Sequence, residues 1–216
     1  QAAAKGAQLL CLPEMCLTGF NWAWNRRNAE QSQTWIDALE QTAARHNLWL
    51  ACSTLTHHGG QALRNTFVLI DASGVEAARY DKAHLFSYVN EDRYMEPGEM
   101  LVDHEAPWGH VGCAICYDVR FPEVFRSYAL QGVELVFCPA AFPHPRLEHW
   151  RTLLGARAIE NQLFIVATNQ VGHESFGIAN RLEYFGHSLV VDPWGEILVE
   201  GPEEEALLST AIDLRK

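Results

Sequence analysis

Residues 112–126, GCAICYDVRFPEVFR, join an apolar run to a helical segment through a short polar turn. The run that ends at Cys116 is typical of a buried strand. Pro122 is suited to the first turn of the helix, and Gly132 is suited to its end. A sharp strand-to-helix turn exposes a side chain, as nucleophile elbows do. The stretch therefore predicts an α/β fold with Cys116 presented at the end of a strand.

Strands and helices alternate on both sides of this stretch. Strands are predicted at 9–14, 49–55, 110–116, 133–140, 163–169 and 206–214, and helices at 32–46, 121–132 and 149–161. Hairpins are predicted at 65–81 and 186–200, and loops at 15–30 and 82–100. Hairpins mixed with strand–helix alternation indicate an α/β chain with a mixed sheet.

The composition predicts one globular domain over residues 1–216. Hydrophobic residues make up 48% and charged residues 20% of the chain, which excludes disorder. The net charge is −11 and the basic dipeptide Arg26-Arg27 stands alone, so nucleic acid is not an expected partner. An apolar run of the roughly 18 residues needed to span a membrane does not occur, so no membrane association is expected.

The six cysteines mostly lie in apolar runs and form no disulfide framework, which favours a reducing, cytoplasmic location. Cys113 and Cys116 form a C-x-x-C pair, a pattern that is also found at redox and zinc sites. Residues three apart on a strand face opposite sides, and no second C-x-x-C supplies further ligands. Cys116 differs from the other cysteines because polar residues follow it, and the sequence predicts no metal.

Three residues that end or follow strands are candidates for chemistry. Cys116 is a candidate nucleophile, and N–H groups at the start of the next helix can favour its thiolate. Glu14 is a candidate general base, since burial would raise its pKa. Lys82 can stabilise an oxyanion. Taken singly, each residue has a more common role: a cysteine is usually a buried structural thiol, and a glutamate or lysine is usually a solvated surface charge.

Two further observations leave alternatives open. Glu91 lies in an acidic loop and can orient Lys82 or simply be solvated. A Cys–His thiol hydrolase needs a histidine base, and candidates are His84, His144, His149, His173 and His187. None of them stands in a sequence signature of that class.

The chain resembles the nitrilase, or carbon–nitrogen hydrolase, superfamily over nearly its whole length. Three segments carry the resemblance: LPEMCLTGF with Glu14, YDKAHLF with Lys82, and GCAICYDVRFPEVFR with Cys116. Two more segments, 155–172 and 186–198, are also similar to the family.

The resemblance implies a four-layer αββα sandwich that dimerises through its helical face, and it implies no metal or organic cofactor. By this resemblance, Glu14 is the general base, Cys116 forms a thioester, and Lys82 with the Tyr117 backbone N–H stabilises the oxyanion. Glu91 fits the fourth acidic residue of many members. Members usually have a strand before the first helix and residues after the last strand, and we expect both to be absent from these 216 residues.

The motifs are most similar to those of small aliphatic amidases, including enzymes that act on ω-amides of dicarboxylates. A small-molecule amide is therefore the expected substrate, with N-carbamoyl or ureido compounds and nitriles as alternatives. Phe142 and Trp150 are expected to form walls of the acyl pocket, and Arg146 is expected to anchor a substrate carboxylate.

Overall fold

The computed structural model describes residues 1–58, 62–176 and 180–214. The strands of this part are β1 Leu9–Cys11, β2 Trp49–His58, β3 Ala62–Ile70, β4 Glu76–Asp81, β5 Asp103–Ala106, β6 Gly109–Cys113, β7 Leu135–Ala140, β8 Phe164–Asn169, β9 Val171–Phe176, β10 Asn180–Phe185, β11 Leu189–Val191 and β12 Ile197–Glu200. The α-helices are α1 Trp22–Asn28, α2 Ser32–His46, α3 Glu91–Tyr94, α4 Pro122–Leu130 and α5 Leu147–Asn161.

Two mixed sheets carry most of these strands. The first has the order β1-β2-β3-β4, with β1 parallel to β2 and the remaining pairs antiparallel. The second has the order β12-β11-β8-β7-β6-β5, in which β6, β7 and β8 run parallel. Strand β7 is buried at every residue, because both faces of the central parallel strands are covered. Strands β9 and β10 form a separate antiparallel ribbon.

The two sheets pack face to face with helices on their outer sides. Phe67 of β3 stacks on Phe137 of β7 with ring centroids 6.0 Å apart. Helix α2 packs Leu39 and Ala43 with buried residues of β2 and β3. Helices α4 and α5 cover the second sheet, and Leu154 of α5 belongs to its core. This αββα order confirms the fold that the resemblance implied.

Some local predictions were wrong. Residues 206–214 form no strand, and Ile212 and Leu214 instead cover the core through their side chains alone. The segment predicted as loop 15–30 contains α1, whose start is capped by the Asn21 side chain accepting from the Trp24 N–H at 3.1 Å. An asparagine N-cap was the available signal, but the aromatic residues that follow it have poor helix propensity.

No helix in the described ranges is both long and apolar enough to cross a bilayer. All six cysteines are free thiols. Cys113 points away from Cys116, with its Sγ 3.5 Å from the Val102 carbonyl. Within the residues that can be described, no group of three or more His, Cys, Asp or Glu side chains has the arrangement of a metal site.

Candidate active site

The predicted residues Glu14, Lys82, Glu91 and Cys116 meet at one cavity. Glu14 follows β1, Lys82 directly follows β4, and Cys116 lies just beyond β6. Because the two sheets are stacked, the ends of these strands come together at one edge of the sandwich. The residues around the cavity are Glu14, Phe20, Lys82, Phe86, Val89, Glu91, Cys116, Ala141, Leu182 and Tyr184.

The cavity is narrow and mostly apolar outside its charged floor. It leaves about 10 Å³ for the centre of a water molecule, which is room for roughly one water. A larger groove of about 1160 Å³ lies between residues 2–19 and 199–214, and it contains none of the four predicted residues. The narrow cavity is therefore the candidate site.

Glu14 is held in the floor of the cavity by several donors. Its Oε1 accepts from the Lys82 Nζ at 2.8 Å, and its Oε2 accepts from the Ala141 N–H at 2.9 Å. Burial raises the pKa of Glu14, and the Glu91 charge adds to the increase, whereas Lys82 and a side-chain hydrogen bond with Cys116 oppose it. The carboxyl group thus contacts the sulfur and is easier to protonate than an exposed glutamate.

Lys82 is buried between two carboxylates. Its Nζ lies 2.8 Å from the Glu14 Oε1 and 2.8 Å from the Glu91 Oε2. Burial by itself would lower the pKa of Lys82, but the two carboxylates raise it well above the usual value. The side chain therefore remains an ammonium ion at neutral pH.

Glu91 begins helix α3 rather than lying in a solvated loop. Its side chain is fully buried and accepts from the Phe86 N–H at 2.7 Å as well as from Lys82. These bonds hold the carboxylate against the Lys82 ammonium group. The structure thus favours the reading in which Glu91 orients Lys82.

Asn65 joins the two carboxylates and was missed in the sequence. Its Nδ2 donates to the Glu14 Oε1 at 2.8 Å and to the Glu91 Oε1 at 2.9 Å. The Ser53 hydroxyl donates to the Asn65 Oδ1 at 2.9 Å and so fixes the direction of the amide. The available signal in the sequence was that Ser53 and Asn65 are polar residues on two buried strands. Their role becomes visible only once the pairing of β2 with β3 is known.

Cys116 adopts a left-handed backbone conformation with φ 46° at the start of a 3-10 helix, Cys116–Arg120. Such a conformation is strained for a residue with a Cβ and is common at functional turns. Burial raises the pKa of the Cys116 thiol well above its usual value, the Glu14 carboxylate raises it further, and Lys82 lowers it. Burial and the Glu14 charge thus outweigh the effect of Lys82 on the thiol. The sulfur carries its proton and needs a base.

Tyr117 is the second residue of the 3-10 helix. The first N–H groups of a helix have no partner within it, so they can bind an anion beside the preceding side chain. The Tyr117 ring packs on Phe86 with centroids 5.1 Å apart and on Phe121 at 5.5 Å. These contacts hold the peptide group that follows Cys116.

The aromatic residues predicted for the acyl pocket lie elsewhere. Trp150 is fully buried, and its indole donates to the His187 carbonyl at 2.9 Å. Its ring packs on Phe142 with centroids 5.2 Å apart, and neither ring borders the cavity. Both belong to the core, because α5 covers the second sheet at this point.

Arg146 lies outside the cavity, near its mouth. Its guanidinium carbon is 5.6 Å from the centre of the Tyr88 ring, and Tyr88 stands between the cavity residues Phe86 and Val89 in the chain. The side chain also donates to the His144 carbonyl at 3.2 Å. Arg146 therefore packs against the 86–89 segment but does not itself border the cavity.

The cavity walls come from residues that the sequence analysis did not single out, although Phe20 and Phe86 are the last residues of two motifs quoted there. Phe20 leads into α1, Phe86 and Val89 precede α3, and Tyr184 lies on β10. Scattered aromatic and aliphatic residues such as these give no signal of their own, because their separate segments meet only in the folded chain. No histidine is among the residues that border the cavity in the described ranges.

Comparison with known sequences agrees with this geometry. The family model for carbon–nitrogen hydrolases matches residues 1–216. The chain is 36% identical over 217 residues to a 2-oxoglutaramate amidase of Bacillus subtilis, covering 99% of the chain and 81% of the relative. It is 36% identical over 223 residues to a deaminated glutathione amidase of Yersinia enterocolitica, covering 97% and 77%.

Solved structures give the same result. An amidase mutant from Nesterenkonia sp. AN1, with the acetamide moiety of fluoroacetamide on its active-site cysteine, matches with a TM-score of 0.86 and 30% identity over 94% of this chain and 76% of that one. A carbon–nitrogen hydrolase from Helicobacter pylori G27 matches with a TM-score of 0.92 and 26% identity over 99% and 80%. The chain therefore belongs to the carbon–nitrogen hydrolase family, as an enzyme of the amidase type.

Proposed function

We propose that this protein hydrolyses the terminal amide of a small molecule through a thioester on Cys116. The observation that carries the proposal is the placement of the buried Cys116 thiol and the Glu14 carboxylate on one small cavity, with the Lys82 Nζ 2.8 Å from the Glu14 Oε1. A thiol whose pKa is raised by burial needs a neighbouring base, and Glu14 is a carboxylate that borders the same cavity.

The reaction proceeds in two halves. Glu14 takes the thiol proton while the Cys116 sulfur attacks the amide carbonyl carbon and a C–S bond forms. The negative oxygen is stabilised by the Lys82 ammonium and the Tyr117 N–H. The C–N bond then breaks, and Glu14 passes its proton to the nitrogen, which leaves as ammonia or an amine.

Water completes the cycle. Glu14 takes a proton from the water as its oxygen attacks the thioester carbonyl carbon. The C–S bond breaks, the sulfur regains a proton, and the carboxylic acid leaves. Lys82 keeps its proton throughout, because two carboxylates raise its pKa well above the usual value.

The substrate class we propose is an ω-amide of a dicarboxylic acid. Two observations support it: the sequence similarity to a 2-oxoglutaramate amidase, and the contact of Arg146 with Tyr88, which lies in the segment that supplies Phe86 and Val89 to the cavity. In this arrangement the amide end enters the apolar cavity, and the carboxylate end remains outside, where a guanidinium group can pair with it.

A substrate panel tests the proposal. Small aliphatic amides, ω-amides, N-carbamoyl compounds and nitriles are scored for ammonia release with wild-type protein and with Cys116→Ala. We expect ammonia from amides, most efficiently from ω-amides, and an acyl adduct on Cys116 by intact-mass measurement. Turnover of only carbamoyl compounds or nitriles would replace the amide assignment, and activity retained by Cys116→Ala would exclude the thioester.

Arg146 is tested separately. We expect Arg146→Ala to raise KM for an ω-amide about tenfold or more, since a charged hydrogen bond contributes roughly 1.5–3 kcal/mol. KM for an uncharged aliphatic amide should stay unchanged. The control is Arg45→Ala, an exposed arginine on α2 far from the cavity. An unchanged KM for the ω-amide would remove Arg146 from the site.

We also propose that the chain is a single domain and that it pairs with a second copy through its helical face. A further proposal is that the protein works in a reducing compartment such as the cytoplasm. Exposed apolar side chains on that face support pairing, with Leu130 81% and Ile159 55% exposed. The free cysteine thiols are compatible with a reducing compartment.

A further inference from the structure

We propose that Asp118 is a positioning residue that sets the geometry of the oxyanion site. Its carboxylate links the turn that carries Cys116 and Tyr117 to the loop that carries Lys82. The inference rests on the proposed function, because it concerns how the two groups that stabilise the oxyanion are held relative to each other.

Asp118 is fully buried, and donors from both segments converge on it. On the side of the cysteine turn, its Oδ2 accepts from the Ile115 N–H at 2.8 Å. From the lysine segment, the Tyr80 hydroxyl donates to the same oxygen at 2.8 Å. The His84 N–H donates to the Oδ1 at 3.0 Å, and the His84 Nδ1 lies 2.8 Å from it.

The contacts to the lysine segment bracket Lys82 in the chain. Tyr80 lies two residues before Lys82, and His84 lies two residues after it. The Tyr80 hydroxyl also accepts from the Ala83 N–H at 3.1 Å. Asp118 therefore restrains the chain on both sides of Lys82. This fixes the backbone position from which the Lys82 side chain extends towards the cavity.

The contact to the cysteine turn restrains a strained backbone. The bond between Asp118 and the Ile115 N–H spans Cys116, whose φ is 46°. Without it, the turn loses a restraint that holds Cys116 in this conformation and directs the Tyr117 N–H. Asp118 thus acts on both oxyanion groups, although it borders the cavity itself at no point.

A carboxylate suits this position better than an amide does. Four donors converge on its two oxygens, and a carboxylate has only acceptor sites. An asparagine would turn an NH₂ group towards two of these donors. The volume would stay the same, but either the His84 pair at Oδ1 or the Ile115 and Tyr80 pair at Oδ2 would lose its acceptor.

The expected consequence is a loss of rate without a loss of substrate binding. Removing one oxyanion donor outright reduces kcat by about 10²–10³-fold. Misplacement of a catalytic group by roughly 1 Å can cost about 10²-fold. We therefore expect kcat of Asp118→Asn to fall about 10²-fold, with KM for a small amide within threefold of the wild-type value.

The experiment compares Asp118→Asn with Asp103→Asn, in which another aspartate paired with a histidine is changed at the far edge of the second sheet. Active sites are counted by iodoacetamide labelling of Cys116 and intact mass, and kcat is expressed per labelled site. A merely structural role would reduce the number of labelled sites and leave kcat per site unchanged. We expect full labelling and a reduced kcat in Asp118→Asn, and wild-type values in Asp103→Asn.

The outcomes separate this inference from the proposed function. Full kcat per labelled site in Asp118→Asn, or a change confined to KM, overturns the positioning role alone. A wild-type protein that forms no acyl adduct and releases no ammonia overturns both. If Asp118→Asn does not fold, Tyr80→Phe decides, because it removes one donor and leaves the carboxylate. An unchanged kcat per site in Tyr80→Phe then rejects the inference, whereas a fall of about tenfold supports it.

Discussion

Two carboxylates and one ammonium group are buried together beside Cys116, so the cluster has an excess negative charge when all three are ionised. Burial raises the pKa of Glu14, and the Glu91 carboxylate adds to this effect. Lys82 stays charged, since its pKa is raised well above the usual value. Protonation of Glu14 is therefore the event that we expect to govern activity on the acid side.

We predict that kcat/KM falls on the acid side at a pH above the ordinary glutamate pKa of 4.5. The sign follows from the mechanism: the base form of Glu14 is required, and a raised pKa means that it is lost at a higher pH. In Glu91→Gln the charge that helps to raise this pKa is absent, so the acid limb should move to lower pH, although kcat also falls. A pH–rate profile of both proteins measures the shift, and a limb that moves upward or stays in place contradicts the assignment.

We predict that Glu14→Gln reduces kcat by about 10³-fold, because general base catalysis contributes roughly 10²–10⁴-fold. His149→Ala and His173→Ala should each keep at least a tenth of the wild-type rate. Amide hydrolysis assays of the three variants distinguish a glutamate base from a histidine base. A histidine variant as inactive as Glu14→Gln would restore the Cys–His alternative.

At the scale of elements, the segments that lead into α1 and α3 together form one wall of the cavity. The Trp22 indole donates to the Val89 carbonyl at 2.8 Å, and its ring stacks on Tyr94 at 5.3 Å. The Phe20 N–H donates to the Glu174 carboxylate of β9 at 2.6 Å. The wall is thus attached on one side to α3 and on the other to the β9–β10 ribbon.

Gly19 is where this wall approaches the ribbon most closely. Its φ is 57°, and a Cβ there would lie 2.7 Å from the Glu174 Oε1. We predict that Gly19→Ala displaces Glu174 and the Phe20 segment, and raises KM severalfold. The control is Gly155→Ala on α5, which has space around it and should stabilise the helix by roughly 0.5–1 kcal/mol. Steady-state kinetics and thermal unfolding check both, and an unchanged KM in Gly19→Ala would mean that the wall tolerates the shift.

At the scale of the whole molecule, apolar side chains are exposed on the outer, helical face of the second sheet, which is the face that we propose for dimerisation. Trp194 is 86% exposed, and the turn that carries it rests on α5, since a Cβ at Gly195 would lie 2.5 Å from the Ile159 Cδ1. We predict that Ile159→Asp converts a dimer into a monomer in sedimentation experiments. Val75→Asp, at an equally exposed apolar position in the hairpin between β3 and β4, should leave the assembly unchanged. A wild-type protein that sediments as a monomer contradicts the pairing.

The sequence by itself determined the fold class, the family and the positions of Glu14, Lys82 and Cys116. It could do so because each of these residues stands at a strand end inside a long local motif, where order along the chain is sufficient information. It also predicted helices α2, α4 and α5 to within two residues at each end.

Only the tertiary structure decided what surrounds those residues. Asn65 meets Glu14 across 51 positions of the chain, and Tyr80 meets Asp118 across 38, so no local pattern reveals either pair. The same limit explains why Phe142 and Trp150 were predicted as pocket walls, whereas Phe20 and Phe86 line the cavity. All four side chains are aromatic, and the stacking of sheets and helices decides which of them border the cavity. The identity of a residue is local, whereas its burial and its partners are set by packing between distant segments.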